Sequence, residues 1–228
     1  MNRITINTGR QPYAYDEELK TLRTNLLFSG DDKKVIMITS SLAGEGKTSV
    51  TFELAKSLTE IGKKVLILDT DIRKSALLRN VKEGKVEKGL THLLSGQSKL
   101  SDIMCSTNIP KLHIIFAGRS VPNASELLSK EIFAKMVENF RSVYDYVLID
   151  TAPLGMVVDA MVVGKVCDAT VLVVKAGEAK YKLVQKVLER LRSMEAPNLG
   201  VILNQVEQKQ DRYYSGKQYK RYYGKEEK

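Results

Sequence analysis

Residues 34–51, KVIMITSSLAGEGKTSVT, constrain this chain more than any other stretch. Residues 35–39 are apolar and rich in β-branched side chains, so they read as a buried strand. Ser41, Gly44, Gly46, Lys47 and Thr48 then turn the chain into a helix carrying Phe52, Leu54, Ala55 and Leu58. Strand, glycine-containing loop, Gly-Lys-Thr and helix make up a phosphate-binding loop. Small residues let consecutive backbone N–H groups converge on phosphate oxygens at a helix N-terminus. The expected cradle runs over Ala43, Gly44, Glu45, Gly46, Lys47, Thr48 and Ser49. Lys47 is expected on the outer phosphates of ATP and the Thr48 hydroxyl on Mg²⁺. Ser41 stands where the motif usually opens with glycine.

Two further strands end in carboxylates. Residues 64–71, KVLILDTD, form an apolar run closed by Asp69 and Asp71, with Arg73 just beyond. Residues two apart on an extended chain face one side. Both carboxylates are therefore expected to project together from the C-terminal end of a strand, where ligands sit in open parallel sheets. Residues 145–150, DYVLID, repeat the pattern and are followed by Thr151, Ala152 and Pro153. An apolar run ending in aspartate beside a phosphate loop holds Mg²⁺, directly or through water, so Asp150 is the second metal candidate.

The remaining pattern predicts strands at residues 112–116, 169–174 and 201–203. Helices are predicted over 16–28, 89–96, 157–166 and 181–194, and a long one capped by Ser125 and running through Phe140. His92 lies in the short helix 89–96 and reads as structural, because no partner is identifiable. Strands alternating with helices imply right-handed crossovers and an α/β fold. Its sheet should be mostly parallel and covered by helices on both faces. A length of 228 residues suits one such domain. No stretch of about 18 uninterrupted apolar residues crosses a membrane, and residues 1–18 have no apolar core of signal-peptide length. Cys105 and Cys167 lack the spacing of a zinc or iron–sulfur site. A reduced cytoplasmic compartment is the simpler reading of them.

The two ends carry separate signals. In helix 16–28, Glu17, Lys20 and Arg23 recur every third residue beside an apolar stripe of Leu19, Leu22 and Leu26. The row is either a solvated flank or a subunit contact. From Gln208 onward the aliphatic pattern stops, so the tail cannot bury a core and should be mobile. It nevertheless holds Tyr213, Tyr214, Tyr219, Tyr222 and Tyr223, half of the ten tyrosines. Such a tail is either an aromatic–basic arm for RNA or membrane contact or a cluster of phosphate-accepting hydroxyls. Multiple phosphorylation could reverse its charge. The net charge of +9 admits an anionic partner, but a basic tail and an ATP site account for it.

Taken together, SSLAGEGKT, LILDTDIR, LIDTAP and the tyrosine tail resemble the bacterial tyrosine kinases of capsule and exopolysaccharide synthesis. The resemblance is to the cytoplasmic CpsD and CapB type and runs from about Glu17 to the tail. It implies that residues 1–206 are the kinase domain and 207–228 a flexible autophosphorylated tail. It implies that Lys47 binds phosphates, that Thr48, Asp69 and Asp150 serve the metal, and that Asp71 is the base for the acceptor tyrosine. Asn204 resembles an adenine-reading asparagine of related ATPases. Tyr213, Tyr214, Tyr219, Tyr222 and Tyr223 become the phosphoacceptors.

The family's E-x-x-R-x-x-R oligomer motif is matched by Glu17, Lys20 and Arg23, with Lys for the middle Arg; Lys cannot make Arg's bidentate pair. The implied assembly is a ring-like homo-oligomer with transfer between subunits. Tyr219 lies 15 residues beyond Asn204, so extended chain spans at most roughly 50 Å, enough for a neighbour's site. The implied partners are a separate transmembrane activator of the polysaccharide-length-regulator type and a cognate tyrosine phosphatase. That activator would hold a cytoplasmic protein at the inner face of the membrane. The rival readings are an ATPase switch of the MinD and ParA kind, an iron–sulfur carrier and a nucleic-acid-binding protein. Leu42 stands where the switch ATPases carry a second lysine, C-x-x-C is missing, and nucleic acid leaves the nucleotide constellation unexplained.

Overall fold

A computed structural model describes residues 2–9 and 12–206 of the chain. Short strands β1 (Asn2–Arg3) and β2 (Thr5–Ile6) precede helix α1 (Tyr13–Leu27). Strand β3 (Val35–Ser40), helix α2 (Lys47–Glu60) and strand β4 (Val65–Asp69) follow. A 3₁₀ turn (Leu77–Asn80), β5 (Val81–Glu83), α3 (Leu90–Leu94), α4 (Leu100–Ile103), β6 (Met104–Ser106) and β7 (Leu112–Ile115) come next. The chain continues through α5 (Ala124–Leu128), α6 (Glu131–Val143), β8 (Tyr146–Asp150) and α7 (Asp159–Gly164). Its last described elements are β9 (Ala169–Lys175), α8 (Tyr181–Arg192) and β10 (Asn198–Asn204).

Eight strands form one sheet in the order β1-β6-β7-β4-β8-β3-β9-β10, and β2 pairs with β5 separately. Within the large sheet every neighbouring pair is parallel except β6 with β7. The alternation of side chains divides the interior into two cores. Ile36, Ile38, Val65, Ile67 and Leu148 pack on one face with Phe52, Leu54 and Leu58 of α2 and Leu26 of α1. Val35, Met37, Leu66, Leu68 and Ile149 pack on the other with Phe133 and Phe140 of α6, Val163 of α7 and Leu191 of α8. Both parities of β3 are apolar because both faces are covered. The α/β sheet expected from the sequence is therefore the one observed.

The register sets the site. β8 lies between β3 and β4, pairing Asp69 with Asp150 and Ile38 with Asp150. Threonines lock the three strand ends. The Thr39 hydroxyl donates to the Ala152 carbonyl at 3.1 Å, and the Thr70 hydroxyl to the Asp150 carbonyl at 2.9 Å. Thr151 donates from its hydroxyl to the Ile38 carbonyl at 3.1 Å.

Two expectations change. The single helix from Ser125 to Phe140 is two helices, because Lys130 takes an extended conformation, with ψ 142°, between α5 and α6. Asn123, not Ser125, precedes α5. The Ser125 hydroxyl is instead spent on Asp159. Helix 157–166 contracts to α7. Among the described residues no helix is long and apolar enough to cross a membrane.

Candidate active site

The phosphate loop is held from behind by a carboxylate. Glu45 is fully buried. Its Oε2 accepts the Leu42 N–H at 2.7 Å and its Oε1 the Lys175 N–H at 3.3 Å, joining the loop to the end of β9. Gly46 opens α2 with φ 90°, a conformation that favours glycine. A Cβ there would also meet Asn204 Nδ2 at 2.1 Å. That amide donates to the Glu45 carbonyl at 2.9 Å, so Asn204 braces the loop from β10.

The loop lines a cleft of about 480 Å³ with Ala43, Gly44, Gly46, Lys47, Thr48 and Ser49. The cleft is also lined by Asp71, Arg73, Lys74, Ala76 and Arg79, and by Ala152, Pro153, Met156 and Val157. Six of the seven loop residues expected around phosphate thus line it. Glu45 turns its side chain inward. Asn204 sits behind the loop, and its neighbour Gln205 takes the place at the cleft.

Lys47 is the centre of a buried charge cluster. Its Nζ is 3.1 Å from Asp71 Oδ2 and 3.5 Å from Asp150 Oδ1. Burial pulls the Lys47 ammonium pKa down, but Asp150 and Asp71 outweigh it and leave the group raised. The Thr48 hydroxyl donates to Asp150 Oδ2 at 2.6 Å. Asp150 Oδ1 is buried and accepts no hydrogen bond. Burial raises the Asp150 carboxyl, with Lys47 opposing. Asp69 is pushed up to about 8, chiefly by burial and next by the negative charge of Asp150. Asp69 accepts the Asp71 N–H at 3.0 Å and a bond from the Ser75 hydroxyl. The chain turns after Asp69, so the turn, not strand alternation, brings Asp69 and Asp71 together.

A second layer fixes the segment after Asp71. The Lys74 N–H donates to Asp71 Oδ1 at 3.0 Å. Arg73 grips Asp159 through Nε and Nη2, the latter 3.1 Å from Oδ1, and the Ser125 hydroxyl adds a third bond. Asp159 is 1% exposed. Burial would raise its carboxyl, but Arg73 and Ser125 outweigh burial and hold it below its ordinary value. Gly155 passes under the loop so closely that a Cβ would stand 2.0 Å from the Ser41 carbonyl oxygen. Motif reading missed Asp159. The available signal is its place as a lone acid in the apolar run MVVDAMVVG.

The other predicted residues lie elsewhere. On α1, Lys20 pairs with Glu17 at 2.6 Å. Arg23 Nη1 donates to the Ser57 carbonyl at 2.8 Å and lies 3.6 Å from Glu60, tying α1 to α2. His92 Nδ1 accepts the Gly89 N–H at 3.1 Å, the structural role expected of it. Tyr213, Tyr214, Tyr219, Tyr222 and Tyr223 lie outside the described residues.

Residues 33–200 match the AAA domain family. The chain is 41% identical over 197 residues to the tyrosine-protein kinase CpsD of Streptococcus agalactiae, covering 86% of each chain. It is 30% identical over 232 residues to the succinoglycan biosynthesis transport protein ExoP of Rhizobium meliloti strain 1021. That match takes in 99% of this chain but only 29% of ExoP. The kinase domain of the Escherichia coli tyrosine kinase ETK superposes with a TM-score of 0.76 at 32% identity, over 82% of this chain and 74% of that one. The septum site-determining protein MinD of Pyrococcus horikoshii OT3, complexed with Mg-ADP, gives 0.64 at 26%, over 75% and 69%.

Loop, sheet and strand-end aspartates define a phosphate-loop nucleotide-binding protein. Within that class the chain belongs to the bacterial tyrosine kinases of capsule and exopolysaccharide synthesis. Its activity is that of a protein-tyrosine kinase.

Proposed function

We propose that the cleft transfers the γ-phosphoryl group of ATP to tyrosines of the chain's own tail, with Asp71 as proton acceptor. The observation that carries this is the division among the three aspartates: Asp71 lines the cleft, whereas Asp69 and Asp150 lie behind it. Lys47 exchanges its carboxylate partners for the outer phosphates, and the N–H groups of the loop from Ala43 to Ser49 hold the rest. Asp150, with a buried oxygen that accepts no hydrogen bond, and the Thr48 hydroxyl fit Mg²⁺, with Asp69 supporting Asp150 from the neighbouring strand. When bound, Mg²⁺ neutralises phosphate charge. A tyrosine hydroxyl has an ordinary pKa of about 10. Asp71 takes its proton as the phenolic oxygen bonds to phosphorus and ADP leaves. Alignment and charge neutralisation supply most of the acceleration.

The acceptors are Tyr213, Tyr214, Tyr219, Tyr222 and Tyr223, in the tail 207–228 that follows the kinase domain 1–206. Transfer runs between subunits of a ring-like homo-oligomer in which Glu17 and Lys20 make the contact and Arg23 fixes α1 on α2. A transmembrane partner of the polysaccharide-length-regulator type holds the protein at the inner face of the membrane and completes the site. The ExoP match supports this, because there the homologous stretch is a minor part of a longer transport protein. A tyrosine phosphatase reverses the modification. Asn204 reads adenine from the end of β10 once nucleotide occupies the cleft.

The test is intact-mass spectrometry and peptide mapping after incubation with Mg-ATP and the activator's cytoplasmic segment. Phosphates mapping to residues 213–223, absent from Lys47→Met and from the five-fold Tyr→Phe tail, are the expected result. No added mass with the segment present would overturn the reading in favour of an ATPase switch. An assembly state unchanged by alanine at Glu17, Lys20 and Arg23 would remove the ring contact.

A further inference from the structure

The cleft holds more positive charge than the nucleotide reading uses. Four cations line it: Lys47, Arg73, Lys74 and Arg79. Lys47 is taken by Asp71 and Asp150, and Arg73 by Asp159. The side chains of Lys74 and Arg79 are exposed, and neither has a hydrogen-bond or ion-pair partner among the described residues. Both follow Asp71 in the chain, Lys74 in the turn and Arg79 in the 3₁₀ element. They therefore line the same cleft as the proposed proton acceptor and lie within eight residues of it in the chain.

The acceptor sequence makes this charge a difficulty and then an advantage. Residues 212–223, RYYSGKQYKRYY, contain four cations and no carboxylate. Unmodified, this stretch is repelled by Lys74 and Arg79. One phosphate on tyrosine adds about −1.5 to −2 charge and three acceptor oxygens, which an unpaired lysine and arginine lining one cleft are suited to bind. The tyrosines also come as adjacent pairs, 213–214 and 222–223, so a modified residue has an unmodified neighbour one position away.

We propose that Lys74 and Arg79 form a phosphotyrosine subsite beside Asp71, so that a tyrosine already phosphorylated anchors the tail while its neighbour is presented for the next transfer. This rests on the tail being the acceptor. The first transfer lacks this anchor and later ones have it, so modification of one tail is cooperative. Partly modified tails are completed before unmodified ones are started.

The test is a binding measurement, which needs no phosphoryl transfer and so fails independently of the kinase reading. Fluorescent peptides copying residues 212–223 are titrated with phosphatase-treated full-length protein carrying ADP. They are unmodified, phosphorylated at the position of Tyr213 or Tyr222, or carry Glu there. The phosphorylated peptides should bind at least about tenfold more tightly than the unmodified one, and Lys74→Ala/Arg79→Ala should erase the difference. Equal affinity, a preference that survives the double substitution, or Glu serving as well as phosphotyrosine would each overturn the proposal. Should the double variant also lose ADP, Lys74→Gln and Arg79→Gln decide singly. Each should reduce the preference at least about threefold, and no reduction in either overturns the subsite.

Discussion

Asp69 and Asp150 are register partners at the ends of the parallel strands β4 and β8, and both side chains are fully buried. Burial, and next the negative charge of Asp150, push Asp69 up to about 8. A folded value above the ordinary carboxylate range means that the native state binds the extra proton. The stabilisation is complete below that range and is lost as pH rises through about 8. The urea midpoint of the unliganded protein should fall as pH rises from about 5 to 8 and level off above it, and Asp69→Asn should flatten the slope. A variant that declines as steeply as the parent would contradict this.

Arg73 and Asp159 tie the segment carrying Asp71 to the start of α7. Asp159→Asn removes the charge but keeps the size, leaving Arg73 partly unpaired. Arg73 is more than a third exposed, so the expected loss is only about 1–2 kcal/mol. The larger effect is on turnover. With its anchor weakened, the Asp71 turn should lose about tenfold in kcat while ATP affinity is kept. Steady-state kinetics beside nucleotide titration separates the two.

Gly155 approaches the Ser41 carbonyl within the space of a side chain. Gly155→Ala must push the loop outward at its first turn. ATP affinity should drop at least about tenfold, or 1.4 kcal/mol, while far-UV circular dichroism stays unchanged. Undisturbed nucleotide binding by calorimetry would show that the loop can yield without consequence.

Glu45 is expected to matter for stability first. Glu45→Ala strands the N–H groups of Leu42 and Lys175, costing about 2 kcal/mol. Glu45→Gln keeps one acceptor and should cost less than Ala. Urea denaturation of the three proteins gives the order.

What the sequence could reveal follows from length and pattern. β3, β4, β8 and β9 are runs of five to seven mostly apolar residues; β4 and β8 end in Asp69 and Asp150, and the loop after β3 leads to Lys47 at the start of α2. β1, β2, β5 and β6 have only two or three residues, too few for any period to show. The break between α5 and α6 falls at Ser129 and Lys130, which carry no glycine or proline signal. Inside the site, backbone roles were legible and side-chain directions were not. The motif counts Glu45 among the phosphate binders, yet its carboxylate faces β9. The Asn204 amide donates to the Glu45 carbonyl, a contact that no motif shows. Arg73 was visible beside Asp71, but its partner lies 86 residues away, a distance only the fold closes.

Gln205, one residue past β10, lines the same cleft as Lys47 and Asp71. The proposed acceptor segment thus follows directly on a residue of its own subunit's cleft. Tyr213 follows eight residues later, a contour of at most about 29 Å. A leash that short sets a high effective concentration that dilution does not lower. If the tail is the acceptor, as proposed, its own subunit's cleft competes for Tyr213 and Tyr214, and a neighbouring subunit would have to win them by geometry rather than by abundance.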